Sequence, residues 1–289
     1  MNGACDLCGA RDAIWILASP RLEGPLMKCH ACGLVYVAAT VNGPGPPVAE
    51  EMDRLSRRAR DLSLVEPSIE ESETPWRELM ARERLDDLRR FATSGRLLEV
   101  GCSTGEFLLA ARQSFVVAGV EADQAAFQMA LSRGIDCLHG ALDDAGFPSA
   151  QFDVAVLYHV FEHFRHPRRE LSELARVVKP GGWLVIETPD VKNIWFRLLG
   201  ARWRQIIPDH LYFFSPATLG RLLAEDGFVV HELRHVGKAM SVRLFISRIG
   251  RYSPVIARLL SAISRGCGWE DLTLRLNLGD VMRVYAKRN

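Results

Sequence analysis

Residues 96–107 read Arg-Leu-Leu-Glu-Val-Gly-Cys-Ser-Thr-Gly-Glu-Phe, and the rest of the chain is organised around that string. Leu97, Leu98 and Val100 form a short apolar run, the pattern of a buried strand. Gly101 and Gly105 bracket a tight turn, after which Phe107, Leu108 and Ala111 continue at helical spacing. Strand, glycine turn and helix start together make a cradle whose backbone a nucleotide-like ligand can approach closely. Such a helix start ordinarily receives phosphate. Glu99 sits at the strand end, where it would repel phosphate and suit a ligand with a cationic amine.

The string Glu99-Val100-Gly101-Cys102-Ser103-Thr104-Gly105 resembles motif I of the class I S-adenosylmethionine-dependent methyltransferases, Glu/Asp-x-Gly-x-Gly-x-Gly, with Ser103 in place of the middle glycine. Further landmarks follow in that family's order. Phe115–Val120 reads as a second strand ending at Glu121, about 20 residues past the turn, where Rossmann-like folds hydrogen-bond ribose hydroxyls. Asp123 is placed to cap the next helix. After a third strand at Ile135–Leu138 comes Gly140-Ala-Leu-Asp143, a loop that lies along the adenine in the resembling family. Phe152–Tyr158 is the fourth strand, followed by His159-Val-Phe-Glu162-His163, similar to the family's segment ending Glu-His. Val177-Val-Lys-Pro-Gly-Gly182 is read as a helix end and Pro-Gly turn before a fifth strand at Trp183–Thr188. Phe228–Leu233 and Asp280–Ala286 supply two more.

The resemblance implies an α/β fold: a Rossmann-like seven-stranded sheet with helices on both faces and its last strand antiparallel. It also implies S-adenosylmethionine as cofactor and S-adenosylhomocysteine as product. The binding residues it implies are Glu99, Gly101, Cys102, Ser103, Gly105, Phe107, Glu121, Ala122, Ala141, Leu142 and Tyr158.

The first 40 residues carry a separate signal. Cys5 and Cys8, then Cys29 and Cys32, form two Cys-x-x-Cys-Gly knuckles separated by 20 residues, close to zinc-ribbon spacing. Four thiolates would complete a tetrahedral shell, so a zinc ion here would be structural. Disulfides and free thiols are the alternatives, and disulfides fit poorly in a chain with no export signal. His30 is a less well spaced substitute ligand. Residues 1–40 are therefore read as a zinc-ribbon-like module and 41–75, with Val41-Asn-Gly-Pro-Gly-Pro-Pro47, as a linker that lets the two units keep separate cores. Thr74 and Pro75 suit a helix start, and 76–289 is the methyltransferase domain.

Two stretches exceed a minimal fold. Residues 189–214 follow the fifth strand, at the sheet edge where open α/β folds bind ligands, and are read as an acceptor lid. Its aromatics are expected to shield the reaction, while Lys192, Arg197, Arg202 and Arg204 suit an anionic acceptor. Residues 241–277 are read as a helical insertion, with a basic amphipathic pair at 241–265. If the acceptor is a hydroxyl, a base must take its proton. Candidates are His210 first, beside Asp209 among aromatics, then His159, with Glu162 and His163 also placed nearby.

The expected reaction is O-methylation of a sugar, polysaccharide or secondary-metabolite hydroxyl in the cytoplasm. A ribosomal RNA methyltransferase with a zinc head is the main rival. It is disfavoured by a net charge of +1 and by Tyr158-His-Val-Phe161 where an Asn/Asp-Pro-Pro-Tyr/Phe motif would stand. A scaffold that binds the cofactor without turnover is the other alternative. No nucleic-acid partner and no membrane span are expected.

Overall fold

The computed structural model describes residues 4–38, 54, 74–250 and 253–289. The segment 41–73 expected as a linker lies outside the described residues, apart from position 54. Three short strands come first: β1 (Ala13–Leu17), β2 (Leu26–Cys29) and β3 (Val35–Val37). Helix α1 (Thr74–Leu88) begins at the expected Thr74. Strand and helix then alternate: β4 (Gly95–Val100), α2 (Glu106–Ala111), β5 (Phe115–Glu121), α3 (Gln124–Ser132), β6 (Cys137–His139), β7 (Phe152–Tyr158), α4 (Pro167–Val177) and β8 (Val178–Pro189). Next come α5 (Ile194–Leu199), β9 (Tyr212–Phe213), α6 (Pro216–Glu225) and β10 (Phe228–His235). An appendage of β11 (Lys238–Ser241), α7 (Val242–Gly250), α8 (Pro254–Cys267) and β12 (Thr273–Leu276) precedes the last strand, β13 (Val281–Arg288).

The main sheet has the order β10-β13-β8-β7-β4-β5-β6. Strands β4 to β8 run parallel, and β13 pairs antiparallel with both β8 and β10. The chain steps from β4 to β5 to β6, then returns to the other side of β4 as β7. That reversal opens a crevice at the carboxyl ends of β4 and β7, the place where open α/β sheets take ligands.

Alternation along each strand sorts the sheet's two faces. Leu98 and Val100 join one buried cluster with residues of α4 and α6, while Leu97 joins another with residues of α1, α2 and α3. The Lys179-Pro-Gly-Gly182 segment is not a turn ending a helix. It is a bulge inside β8, because Phe152 pairs with Val178 but Val154 pairs with Trp183. Lys179 Nζ pins it to Asp153 at 2.7 Å, and a Cβ at Gly182 would lie 2.9 Å from the Asp153 carbonyl oxygen. The insertion of 241–277 is likewise not all helical, since β11 and β12 pair antiparallel at its base.

The N-terminal module does not keep a core of its own. Its sheet has the order β1-β2-β3-β9, so its fourth strand comes from the segment expected as the lid. Tyr36 pairs with Tyr212 and Val35 with Phe213. Cys5, Cys29 and Tyr36 share one buried cluster with Leu98, Val100 and Leu157 of the main sheet. Trp203 and Ile206 are buried against Leu26, Val35 and Phe213. Asp6 Oδ2 also accepts the Arg168 backbone N–H at 3.0 Å, at the start of α4.

This shared core sets the outcome of breaking the knuckles. Cys29→Ser should remove amide-exchange protection from Leu211–Phe214 as well as from β2 and β3. Protection lost in the head alone would mean the two cores are independent.

Candidate functional site

Register places the cofactor-side residues. Val100 lies opposite Val120 and Leu157, and Glu121 opposite His139, so four strand ends meet in one row. Gly101 has φ +71°, and a Cβ there would sit 2.3 Å from Val160 Cγ2, so only glycine lets the two loops close on each other. Ser103 adopts φ +50°. Arg133 donates to the Thr104 carbonyl at 2.8 Å and pairs with Glu106 at 3.0 Å, clamping the turn from α3. Nothing in the sequence marked Arg133 for that task.

Glu121 is the best-oriented acid of the row. Its Oε2 accepts the Ser103 N–H at 2.7 Å and its Oε1 the Asp123 N–H at 2.8 Å. Each oxygen keeps a second lone pair for a ribose hydroxyl. Asp123 caps α3 through the Ala126 N–H at 2.8 Å, as expected. Ala122 accepts from His139 Nε2 at 3.0 Å, and Gly140 N–H donates to Glu121 O at 2.9 Å, which draws the Ala141–Leu142 loop alongside. Phe107 and Tyr158 meet edge to face at 5.0 Å, and Cys102 is buried with its Sγ 3.2 Å from that of Cys137.

Glu99 is buried, and its Oε2 has no partner among the described residues. Burial raises its pKa well above the usual carboxylate range, with Arg84 opposing and Glu106 and Glu121 adding to the rise. A buried acid in that state lacks a cation, which the amine of S-adenosylmethionine supplies. The residues present therefore fit the cofactor.

On the other side of the crevice, β7 gives way to His159, held at φ +59°. Its Nδ1 lies 3.4 Å from Glu162 Oε1 and its Nε2 3.1 Å from Glu187 Oε1. Its side chain is 19% exposed. His210 is 3% exposed, with Nε2 3.8 Å from Glu162 Oε1. Burial, then the neighbouring His163, pushes the His210 pKa down to about 4. Burial works to raise the pKa of Glu162, but His159, His163 and His210 together pull it down to about 2. His163 Nδ1 bonds to the Asp209 carbonyl at 2.7 Å. Glu162, His163 and His210 each offer a ligand atom, all within 4.8 Å of one another.

Several residues of this side were not singled out from sequence. Glu187, 1% exposed on β8, accepts from Arg84 Nη2 at 2.6 Å and Arg283 Nε at 2.8 Å. Arg84 lies over the Tyr158 ring, 4.1 Å from its centre. Desolvation, then Arg204 and Arg248, brings the pKa of half-buried Lys238 down to about 7. A buried Glu inside the apolar run Leu184-Val-Ile-Glu187 was the available sequence signal.

The segment 189–214 is pinned rather than loose. Arg204 makes a bidentate pair with Asp280, both contacts at 2.7 Å, so it is committed inside the protein and not held out for an acceptor. Trp203 Nε1 donates to the same carboxylate at 3.2 Å, and Trp195 Nε1 to the Leu278 carbonyl at 2.8 Å. Trp203, Tyr212, Phe213 and Phe214 are core residues, not a screen over the reaction. Lys192 and Arg197 are exposed.

In the N-terminal module, Cys5 Sγ is 3.6 Å from Cys32 Sγ and Cys8 Sγ 3.5 Å from Cys29 Sγ, with all four sulfurs within 4.8 Å. Disulfide sulfurs would stand about 2.05 Å apart. Sulfurs around one tetrahedral zinc, at Zn–S of about 2.3 Å, stand about 3.8 Å apart. The Gly9 and Gly33 N–H groups close the knuckles onto the Cys5 and Cys29 carbonyls at 2.8 and 2.9 Å.

Comparison with known proteins gives the family. A family model described as a methyltransferase domain matches residues 75–233, more than half of the chain. The chain belongs to that family and is an S-adenosylmethionine-dependent methyltransferase. It is 30% identical over 169 residues to a ubiquinone biosynthesis O-methyltransferase of Thiobacillus denitrificans, covering 53% of this chain and 72% of that one. It is 30% identical over 156 residues to a protein of the same name in Alkalilimnicola ehrlichii, covering 48% and 62%. In fold it is similar to a SAM-dependent methyltransferase from Archaeoglobus fulgidus, at TM-score 0.53 and 18% identity over 75% of this chain and 97% of that one. Among the described residues, no helix is long and apolar enough to cross a membrane.

Two measurements follow from the site. If Glu121 holds the ribose, Glu121→Ala should weaken S-adenosylhomocysteine binding in calorimetry about tenfold or more, because the Ser103 tether is lost as well. Unchanged affinity would remove Glu121 from the site. His210 is harder to protonate folded than unfolded, so its contribution is complete above pH 6.5 and is lost as pH falls toward about 4. Thermal melts of His210→Gln should therefore lose less stability than wild type across that window.

Proposed function

We propose that this methyltransferase methylates a hydroxyl of a small-molecule or saccharide acceptor, with His159 as general base. Sugars, polysaccharides and secondary metabolites are the acceptor class, and the relatives named O-methyltransferases support oxygen as the methylated atom. The observation that carries the reading is the placement of His159. It is the first residue past β7 in the crevice beside Gly101, partly exposed, with its ring between Glu162 and Glu187. His210, offered by sequence as the first candidate, is buried behind Glu162 and is better suited to positioning that carboxylate.

When bound, S-adenosylmethionine supplies a methyl group on a positively charged sulfonium. Glu99 faces the ligand amine and Glu121 the ribose. Phe107 and Tyr158 pack together on the α1 side of the sheet. His159 takes the proton from the acceptor hydroxyl at one ring nitrogen. The buried, ionised Glu162 and Glu187 hold the ring and stabilise the imidazolium that results. With Arg204 paired to Asp280, recognition of an anionic acceptor falls to the exposed Lys192 and Arg197.

We also propose one structural zinc on Cys5, Cys8, Cys29 and Cys32. The support is the near-tetrahedral spacing of the sulfurs. Elemental analysis of freshly purified protein should find one equivalent, and none would refute the site.

A methyl-transfer screen with hydroxyl acceptors tests the reaction. His159→Ala should lower kcat by about a hundredfold or more, with cofactor affinity unchanged and partial rescue at high pH. His210→Ala should lower it less. If His210→Ala is the more severe and His159→Ala is silent, the roles are reversed. Cofactor binding with no turnover on any acceptor pool would leave the scaffold reading.

A further inference from the structure

The appendage between β10 and β13 is not needed to complete the sheet, and its α8 is built the wrong way round for a helix serving this core. Ser264 is its one fully buried side chain, at 3% exposure. α8 also meets α7 through small groups, since a Cβ added to Gly250 would touch the Ala257 Cβ at 3.5 Å. Four of its five large apolar residues point outward, Leu260 alone being half-buried: Val255 is 75% exposed, Leu259 62%, Ile256 51% and Ile263 46%. At about 100° per residue these four span roughly a 100° arc, with Ser264 on the opposite side. Trp269 and Leu272, both just past the helix, are about half exposed as well.

Charge is one-sided along the two helices. From Val242 to Trp269 there are five arginines, Arg243, Arg248, Arg251, Arg258 and Arg265, and no Asp or Glu; the acids that follow, Glu270 and Asp271, lie 3.8 and 3.3 Å from Arg243. Arg258 and Arg265 flank one edge of the outward apolar arc, are exposed, and meet no carboxylate within ion-pair distance among the described residues. A second copy of the chain is a poor cover for this face, because a symmetric contact would bring these arginines together. An outward apolar stripe edged by arginine, with a Trp at its end, is the composition of a helix lying in the interface of an anionic bilayer. The arginine stems can cover apolar surface while their guanidinium groups reach lipid phosphates.

We propose that the outer face of α8, continued by Trp269 and Leu272, docks this protein on anionic membrane surfaces. The base of the appendage stays fixed on α1 as it does so: Trp76 Nε1 donates to Thr273 Oγ1 at 3.1 Å, and Arg275 pairs with Glu83 at 2.7 Å. The contact is peripheral, since α8 is far shorter than a span.

Flotation of the full chain with vesicles tests the proposal. Phosphatidylcholine vesicles containing phosphatidylglycerol should carry the protein at low salt and release it at high salt, while pure phosphatidylcholine vesicles should not carry it. Arg258→Gln with Arg265→Gln should lower the partition coefficient about thirtyfold, because each basic group near an anionic surface is worth about fivefold. Leu259→Glu with Ile263→Glu should abolish binding. All four positions are exposed, so melting temperature and S-adenosylhomocysteine affinity should stay at wild-type values. Three results would overturn the proposal: no binding to either vesicle, equal binding to both, or a concentration-dependent dimer lost in Leu259→Glu/Ile263→Glu without any vesicle binding.

Discussion

Glu187 sits inside the sheet at 1% exposure, and the surrounding architecture is arranged to keep it charged. Burial alone would raise its pKa, but Arg84 and Arg283 hold it well below the usual carboxylate range. These two guanidinium groups come from different parts of the chain, α1 before the sheet and β13 at its end. Arg283 also reaches Asp87, which in turn pairs with Arg234 on β10. This buried carboxylate thus fastens the first helix and β13, and through Asp87 also β10, around the end of β7, where His159 stands. Removing both arginines would leave a buried charge uncompensated, a loss of at least about 3–5 kcal/mol.

The faces of the sheet divide the labour. Glu99, Tyr158, Glu187 and Arg283 alternate to the α1 side, with Leu97, Val156 and Val185. The other side carries Leu98, Val100 and Leu157 into the core shared with the thiol cluster. The N-terminal module therefore supports the sheet from the face opposite the charged network. Its backbone link toward the site runs through β9, whose preceding residues include Asp209 and His210. The Leu211 N–H bonds to the Glu162 carbonyl at 2.9 Å, and the Val37 N–H to the Leu211 carbonyl at 2.9 Å. This backbone relay joins the head to the carboxylate beside His159.

How legible each part was depended on whether its physics is local. The glycine turn, Glu121 and the cap at Asp123 are set by φ angles and by hydrogen bonds within a few residues, so spacing revealed them. The knuckles Cys5-x-x-Cys8 and Cys29-x-x-Cys32 were legible for the same reason. Lys179-Pro-Gly-Gly182 looked like a local turn, yet sheet pairing on both sides turned it into a bulge within β8. Arg133, Arg84 and Lys238 were missed because their partners lie on other elements.

The sequence by itself determined the sheet, the family, the cofactor turn and the thiol cluster, because periodicity, glycine conformation and ligand spacing are properties of short segments. Only the tertiary structure decided which histidine stands in the crevice. Sequence alone put His210 ahead of His159 as the candidate base, and burial behind Glu162 separates the two. Tertiary structure likewise decided that the lid's aromatics and Arg204 belong to the core, since the head's open sheet edge takes β9 and Asp280 takes the guanidinium. It also showed that most of the large apolar residues of α8 face outward, which depends on the neighbours a helix finds rather than on its own pattern.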